Sequence, residues 1–84
     1  MSDWVVYILR CSDQSLYTGI TNNLERRLQE HNQSNKLAAA YTRARRPVSL
    51  VYHEMQDDRA SASKREATIK KMTKTEKEKL ISAH

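Results

Sequence analysis

One glycine, one proline and one cysteine occur in this chain of 84 residues, and each scarcity closes off a class of protein. A single glycine excludes both the Walker loop and the G-x-G-x-x-G dinucleotide fingerprint, which need several glycines where backbone approaches phosphate. The lone cysteine, Cys11, cannot form an intramolecular disulfide and cannot build a four-thiolate zinc site. A reducing, cytoplasmic setting is the expectation. So little Gly and Pro argues against a linker or a disordered tail. No apolar run approaches the ~20 residues that span a bilayer, and no basic segment precedes a long apolar one as in a secretory signal. The histidines His31, His53 and His84 lack zinc-ligand spacing. The acidic residues are scattered, so no two-metal carboxylate cluster is evident, and no nucleophile elbow is visible.

What is present is positive charge: 15 Lys and Arg against 10 Asp and Glu, a formal net charge of +5. That balance favours a polyanionic partner, with nucleic acid ahead of a membrane surface. A chain this short buries roughly 60–65% of its unfolded surface. It is expected to form one domain over residues 1–84, without repeats or low-complexity segments.

Trp4–Arg10 (WVVYILR) is apolar on both faces and reads as a central, covered strand. Residues 11–15 form a polar turn, and Leu16–Ile20 (LYTGI) reads as the return strand of a hairpin. A pairing register whose residue numbers sum to about 26 sets Tyr7 opposite Gly19 and Tyr17 opposite Leu9. Both tyrosines then share a face, with Gly19 leaving room above Tyr7. A helix follows, with Asn22 and Glu25 as a capping box and Thr21 as the competing cap. Its helical phase places Leu24, Arg27, Leu28 and His31 on one stripe, so Arg27 and not Arg26 is carried toward the sheet. A charge on that stripe needs a partner: tyrosine hydroxyls, a carboxylate or a phosphate. The segment 32–47 holds Lys36, Arg43, Arg45 and Arg46 without an acid, and 37–44 fits a short helix. These cations suit a nucleic-acid backbone, with Tyr41 available to stack on a base. Residues 48–55 read as a third strand in which Val48, Leu50 and Tyr52 alternate with Ser49, Val51 and His53. Asp57 or Asp58 caps a helix to about Met72 with Ala62, Ile69 and Met72 inward and Arg65 and Glu66 on the flanks. Lys70 stands one turn beyond Glu66, a favourable helix pair. Thr73 and Glu76 form a capping box for a short terminal helix ending near Ile81. The lysines there, Lys74, Lys77 and Lys79 among them, form a solvated basic face.

Taken together, Val6-Tyr7-Ile8, Tyr17-Thr18-Gly19, a helix with Arg27 and His31, and a later helix with Glu66 resemble the GIY-YIG nuclease family over nearly the whole chain, in its small single-domain bacterial form. The resemblance implies an α+β fold: a three-stranded antiparallel central sheet flanked by helices, in the order β-β-α-β-α-α. It implies hydrolysis of DNA phosphodiesters with one divalent ion, Mg²⁺ or Mn²⁺, in DNA repair or processing. A chain without a second domain has little surface for long-site readout, so low sequence specificity or selectivity for DNA structure is the expectation. The resemblance assigns Tyr7 as general base, Tyr17 as the group positioning water or phosphate, and Arg27 as the stabiliser of transferring charge. His31 assists orientation or proton transfer, and Glu66 is the metal ligand. A tyrosine ordinarily titrates near ~10, so Tyr7 acts as a base near neutrality only where cations lower that value. The chain departs from the pattern at Val6 for glycine, at Thr18, at Ile20 where some members have lysine, and in having no asparagine after Glu66.

Candidate nucleic-acid contacts are Lys36, Tyr41, Arg43, Arg45, Arg46 and Lys70, and RNA stays open beside DNA. No membrane or obligate protein partner is expected. The alternatives are a non-catalytic nucleic-acid-binding module on the same scaffold and, behind it, an adaptor for a protein partner.

Overall fold

The computed structural model describes residues 4–83; His84 lies outside the described residues. The elements are β1 (Trp4–Arg10), β2 (Leu16–Thr21), α1 (Leu24–Gln33), α2 (Ala40–Arg43), β3 (Ser49–Gln56), α3 (Arg59–Lys70) and α4 (Lys74–Ser82). The strands form one antiparallel sheet in the order β2-β1-β3. The apolar run of β1 is therefore the central strand, and Val5 through Leu9 are all buried. This is the expected α+β architecture, with one added turn of helix: α2 is shorter than the 37–44 segment from which it was predicted.

The β1–β2 register pairs Tyr7 with Gly19 and Leu9 with Tyr17, as the parity of the hairpin required. The turn closes through Cys11 and Ser15, while the Asp13 carboxylate accepts bonds from the Ser15 N–H at 3.0 Å and hydroxyl at 2.5 Å. Gln14 occupies the left-handed region at φ 71°.

Alternation along β1 splits the core into two layers. On one face Val6 and Ile8 pack with Tyr52, Ala62 and Ile69, against which Met72, Leu80 and Ile81 also lie. On the other, Tyr7 and Leu9 pack with Cys11 and Val48, covered by Leu24 and Leu28 of α1. Leu50 and Tyr52 were expected on one face, but they fall on opposite ones. An irregularity between Ile8 and Leu9 pairs Ile8 with Tyr52 and Leu9 with Leu50, so Val51 is an extra residue in β3. Such a bulge resets the alternation beyond it.

The caps differ from expectation at one end of one helix. α1 begins at Asn23, whose side chain accepts from the Arg26 N–H at 3.1 Å. Asn22 is not the cap. Thr21 instead accepts from the Asn23 N–H at 3.1 Å, which fixes the entry to the helix one residue later. Asp58 caps α3, and Thr73 with Glu76 forms the expected capping box on α4. A two-pronged pair, Arg10 to Glu78 at 2.7 Å through both nitrogens, ties α4 to the central strand.

Candidate active site

Four rings meet where β1, β2, α1 and α2 converge. The Tyr7 and Tyr17 centroids are 6.5 Å apart, and His31 stands edge-on to both at 5.9 and 5.2 Å. Tyr41 stacks on Tyr17 at 6.0 Å. The hairpin register brings the two tyrosines to one face, and the phase of α1 delivers His31 to the same place.

The Tyr7 ring lies across the backbone of Gly19. A Cβ at that position would sit 2.5 Å from the Tyr7 hydroxyl oxygen, so glycine is needed for close approach. The hydroxyl is 2.9 Å from His31 Nε2, and His31 Nδ1 is 2.7 Å from Thr42 Oγ1. Thr42 Oγ1 in turn is 3.1 Å from the Ala39 carbonyl. The direction of this chain follows from counting protons. Thr42 has one, which the Ala39 carbonyl can accept, so Thr42 Oγ1 accepts from His31 Nδ1–H. His31 Nε2 is then bare and accepts from the Tyr7 hydroxyl. Run the other way, the chain would leave the Tyr7 proton without an acceptor among the described residues.

Burial governs the electrostatics here. His31 has 0% and Tyr7 1% of its surface exposed. Burial lowers the His31 pKa to about 4, and the nearby Arg27 charge lowers it further. The imidazole is therefore neutral near pH 7, as the hydrogen-bond chain requires. Burial likewise raises the Tyr7 pKa to about 12, although the Arg27 guanidinium acts in the opposite sense. The expected lowering of Tyr7 by surrounding cations is thus not found: desolvation of a phenolate outweighs one arginine.

Arg27 is half-buried while Arg26 is exposed, as helix phase required. Arg27 donates to the Glu30 carboxylate at 3.0 Å and the Leu37 carbonyl at 2.7 Å, and it also interacts with the Tyr7 hydroxyl. Against the lowering by burial, Glu30 and then Tyr7 raise the Arg27 pKa. Glu66 comes from α3 and is half-buried, with the Lys70 ammonium 3.5 Å away. Its charge also acts to raise the Tyr7 pKa, so the carboxylate and the tyrosine sense each other. Among the described residues no three His, Cys, Asp or Glu side chains cluster into a metal cage. A single accessible carboxylate still fits Mg²⁺, which commonly keeps several waters and takes other ligands from substrate phosphate.

The basic segment is less free than its composition suggests. Arg46 donates to the His31 carbonyl at 2.7 Å, the Ser34 carbonyl at 2.6 Å and Asn35 Oδ1 at 2.9 Å, closing the C-terminal end of α1. Arg43 donates to the Asn35 carbonyl at 2.7 Å. Arg45 lies 3.9 Å over the Tyr41 ring and bonds Asp13 at 3.1 Å and the Tyr41 carbonyl at 3.0 Å. Tyr41 therefore contacts both the Tyr17 ring and the Arg45 guanidinium while staying exposed. Lys36 is exposed. Thr42 was missed from sequence. It sits among the basic residues of that segment, and no periodicity relates it to His31.

The three-stranded antiparallel sheet with its flanking helices places the chain in the class of nuclease-type α+β domains. The family model of the GIY-YIG catalytic domain matches residues 3–79, and the chain belongs to the GIY-YIG family, whose members are typically endonucleases. It is 59% identical over 81 residues to a UPF0213 protein of Syntrophus aciditrophicus, covering 96% of this chain and 92% of that one. It is 56% identical over 80 residues to UPF0213 protein DP2720 of Desulfotalea psychrophila, covering 95% and 72%. Among solved structures, it resembles the solution structure of EF2693 from E. faecalis with a TM-score of 0.64 and 39% identity, covering 99% of this chain and 85% of that one. The UPF0213 protein BH0048 of Bacillus halodurans gives a TM-score of 0.61 and 39% identity, covering 95% and 83%. Among the described residues no helix is long and apolar enough to cross a membrane.

Proposed function

We propose that this protein is a divalent-metal-dependent endonuclease that hydrolyses DNA phosphodiester bonds. The observation that carries the reading is the buried chain from the Tyr7 hydroxyl through His31 to Thr42. A tyrosine with a pKa near 12 holds its proton at neutral pH, so it cannot act as a preformed phenolate. It can act as a relay. The Tyr7 oxygen takes a proton from an attacking water while its own proton passes to His31 Nε2, which is bare and correctly aimed. The phenol ends neutral and the imidazole ends charged. An arriving phosphodiester brings negative charge near Arg27 and so raises the readiness of His31 to accept that proton. With a pKa near 4 in the resting protein, His31 returns the proton to solvent once the product leaves.

Tyr17, in edge contact with His31 and less buried than Tyr7, would orient the water or the phosphate. Arg27 offers directed donors to the phosphoryl oxygens, where its fork suits several at once. Glu66 would hold one Mg²⁺ or Mn²⁺, which supplies polarisation of a phosphate oxygen and stabilisation of the leaving group. The reading includes low sequence specificity or recognition of DNA structure.

The test is purified protein on single-stranded, duplex and branched DNA, with and without EDTA, alongside Tyr7→Phe and Glu66→Ala. Cleavage that stops with EDTA and with either substitution supports the reading. Cleavage at equal rate by Glu66→Ala would assign it to another site or a contaminant. Salt-sensitive binding without cleavage on any substrate would leave a binding module.

A further inference from the structure

A groove of about 220 Å³ adjoins the ring cluster, lined by Leu16, Tyr17, Thr18, Tyr41, Lys70 and Lys77. Successive side chains of a strand point to opposite faces. Three consecutive residues of β2 can therefore line one groove only where it crosses the strand's edge. β2 is an outer strand, so this edge is open, and its outward backbone groups find no partner strand. Two lysines and no acid line the groove, with Lys70 also 3.5 Å from the Glu66 carboxylate. Lys77 is half-buried and its ammonium has no ion-pair or hydrogen-bond partner among the described residues. Its neighbour Lys74, by contrast, donates to the Gln14 carbonyl at 2.9 Å. The other wall is Tyr41, in ring contact with Tyr17 and with the Arg45 guanidinium, which pairs with Asp13.

We propose that this groove is a subsite for the backbone phosphate next to the scissile one in a bound DNA strand, held by the Lys70 and Lys77 ammonium groups against the Tyr41 wall. The position relative to the scissile phosphate rests on the nuclease reading. The anion site itself rests on the groove. Tyr17 belongs to both the groove and the ring cluster, so a strand whose scissile phosphate lies at Tyr7 and Tyr17 continues across the β2 edge. The subsite reads phosphate through its two ammonium groups, which carry no base-edge selectivity. It therefore adds affinity and register without sequence preference.

The experiment has two arms. In the first, a thymidine bisphosphate with phosphate on both sugar hydroxyls is titrated without metal, followed by the amide resonances of Leu16, Thr18 and Lys77. The expected result is saturable shifts at these residues, weakened roughly five- to tenfold in Lys77→Ala and restored in Lys77→Arg. Shifts that avoid the groove, or that are unchanged in Lys77→Ala, overturn the proposal. In the second, a DNA oligonucleotide carries one uncharged methylphosphonate beside the cleavage point. The modification is expected to slow wild type and to have little further effect on Lys77→Ala. Independent, multiplying effects would reject the subsite while leaving the nuclease reading intact. Groove binding with no cleavage of any oligonucleotide would reject the nuclease reading and keep the anion site.

Discussion

At Gly19 a missing side chain matters more than any present one. A Cβ there would come within 2.5 Å of the Tyr7 hydroxyl and 2.6 Å of its ring carbon, and Tyr7 is closed in by His31 and Tyr17. Gly19→Ala is expected to displace the Tyr7 ring, to cost about 1–3 kcal/mol of stability as overpacking does, and to abolish cleavage. Urea unfolding with a cleavage assay on the folded variant checks both. The opposite wall is Thr42. Thr42→Val keeps its shape but leaves the His31 Nδ1–H buried without an acceptor, at a cost of about 1–3 kcal/mol. It also removes what fixes the tautomer, so ¹⁵N shifts of His31 should report Nε2–H gaining population, and Thr42→Ser should restore the wild-type pattern. An unchanged tautomer in Thr42→Val would show that Tyr7 alone sets it. Tyr7, Tyr17 and Arg27 were placed correctly from sequence because strand parity and helix phase are local rules. The direction of the Tyr7 pKa shift and the role of Thr42 were not legible, since both depend on which distant residues close over the hydroxyl and the imidazole.

The elements follow their local signals except where the chain gains or shifts one residue. The extra residue of β3 at Val51 turns Tyr52 to the α3 face. Nothing in VSLVYHEM marks it, because apolar side chains stand on both sides of the bulge and either face accepts them. The α1 cap moved from Asn22 to Asn23 for a similar reason: adjacent asparagines are equally competent, and the Thr21 hydroxyl settles the choice through the Asn23 N–H. In the β1–β2 turn the left-handed residue is Gln14 at φ 71°, a conformation that costs a residue with a Cβ roughly 1–2 kcal/mol. Gln14→Gly removes that cost but adds unfolded-chain entropy. A net gain of about 0.5–1 kcal/mol in urea unfolding is expected, with cleavage unaltered, because the turn bonds to Ser15 and Lys74 use backbone and Asp13 groups that remain.

For the molecule as a whole, the buried imidazole makes stability depend on pH before any carboxylate does. His31 titrates near 6.5 in the unfolded chain and near 4 when folded, since burial, and then the Arg27 charge, penalise its cation. Between those values the unfolded state binds the proton and the folded state does not. Stability therefore rises with pH across this window and is lost as pH falls from about 6.5 toward 4, by up to about 3 kcal/mol. The carboxylates act lower. Hydrogen bonds to Ser15 lower the pKa of Asp13, those to Ser61 that of Asp58, and Arg10 that of Glu78. Their share is present above the unfolded carboxylate range and is lost only below it. Urea unfolding at intervals from pH 7.5 to 5, about the upper part of the His31 window, should show a steady decline. His31→Asn should flatten that slope. If the variant does not fold, direct titration of the His31 ring resonances in the wild-type protein decides the matter. A folded-state value near 6.5 would remove the slope and the burial penalty assigned to the His31 cation.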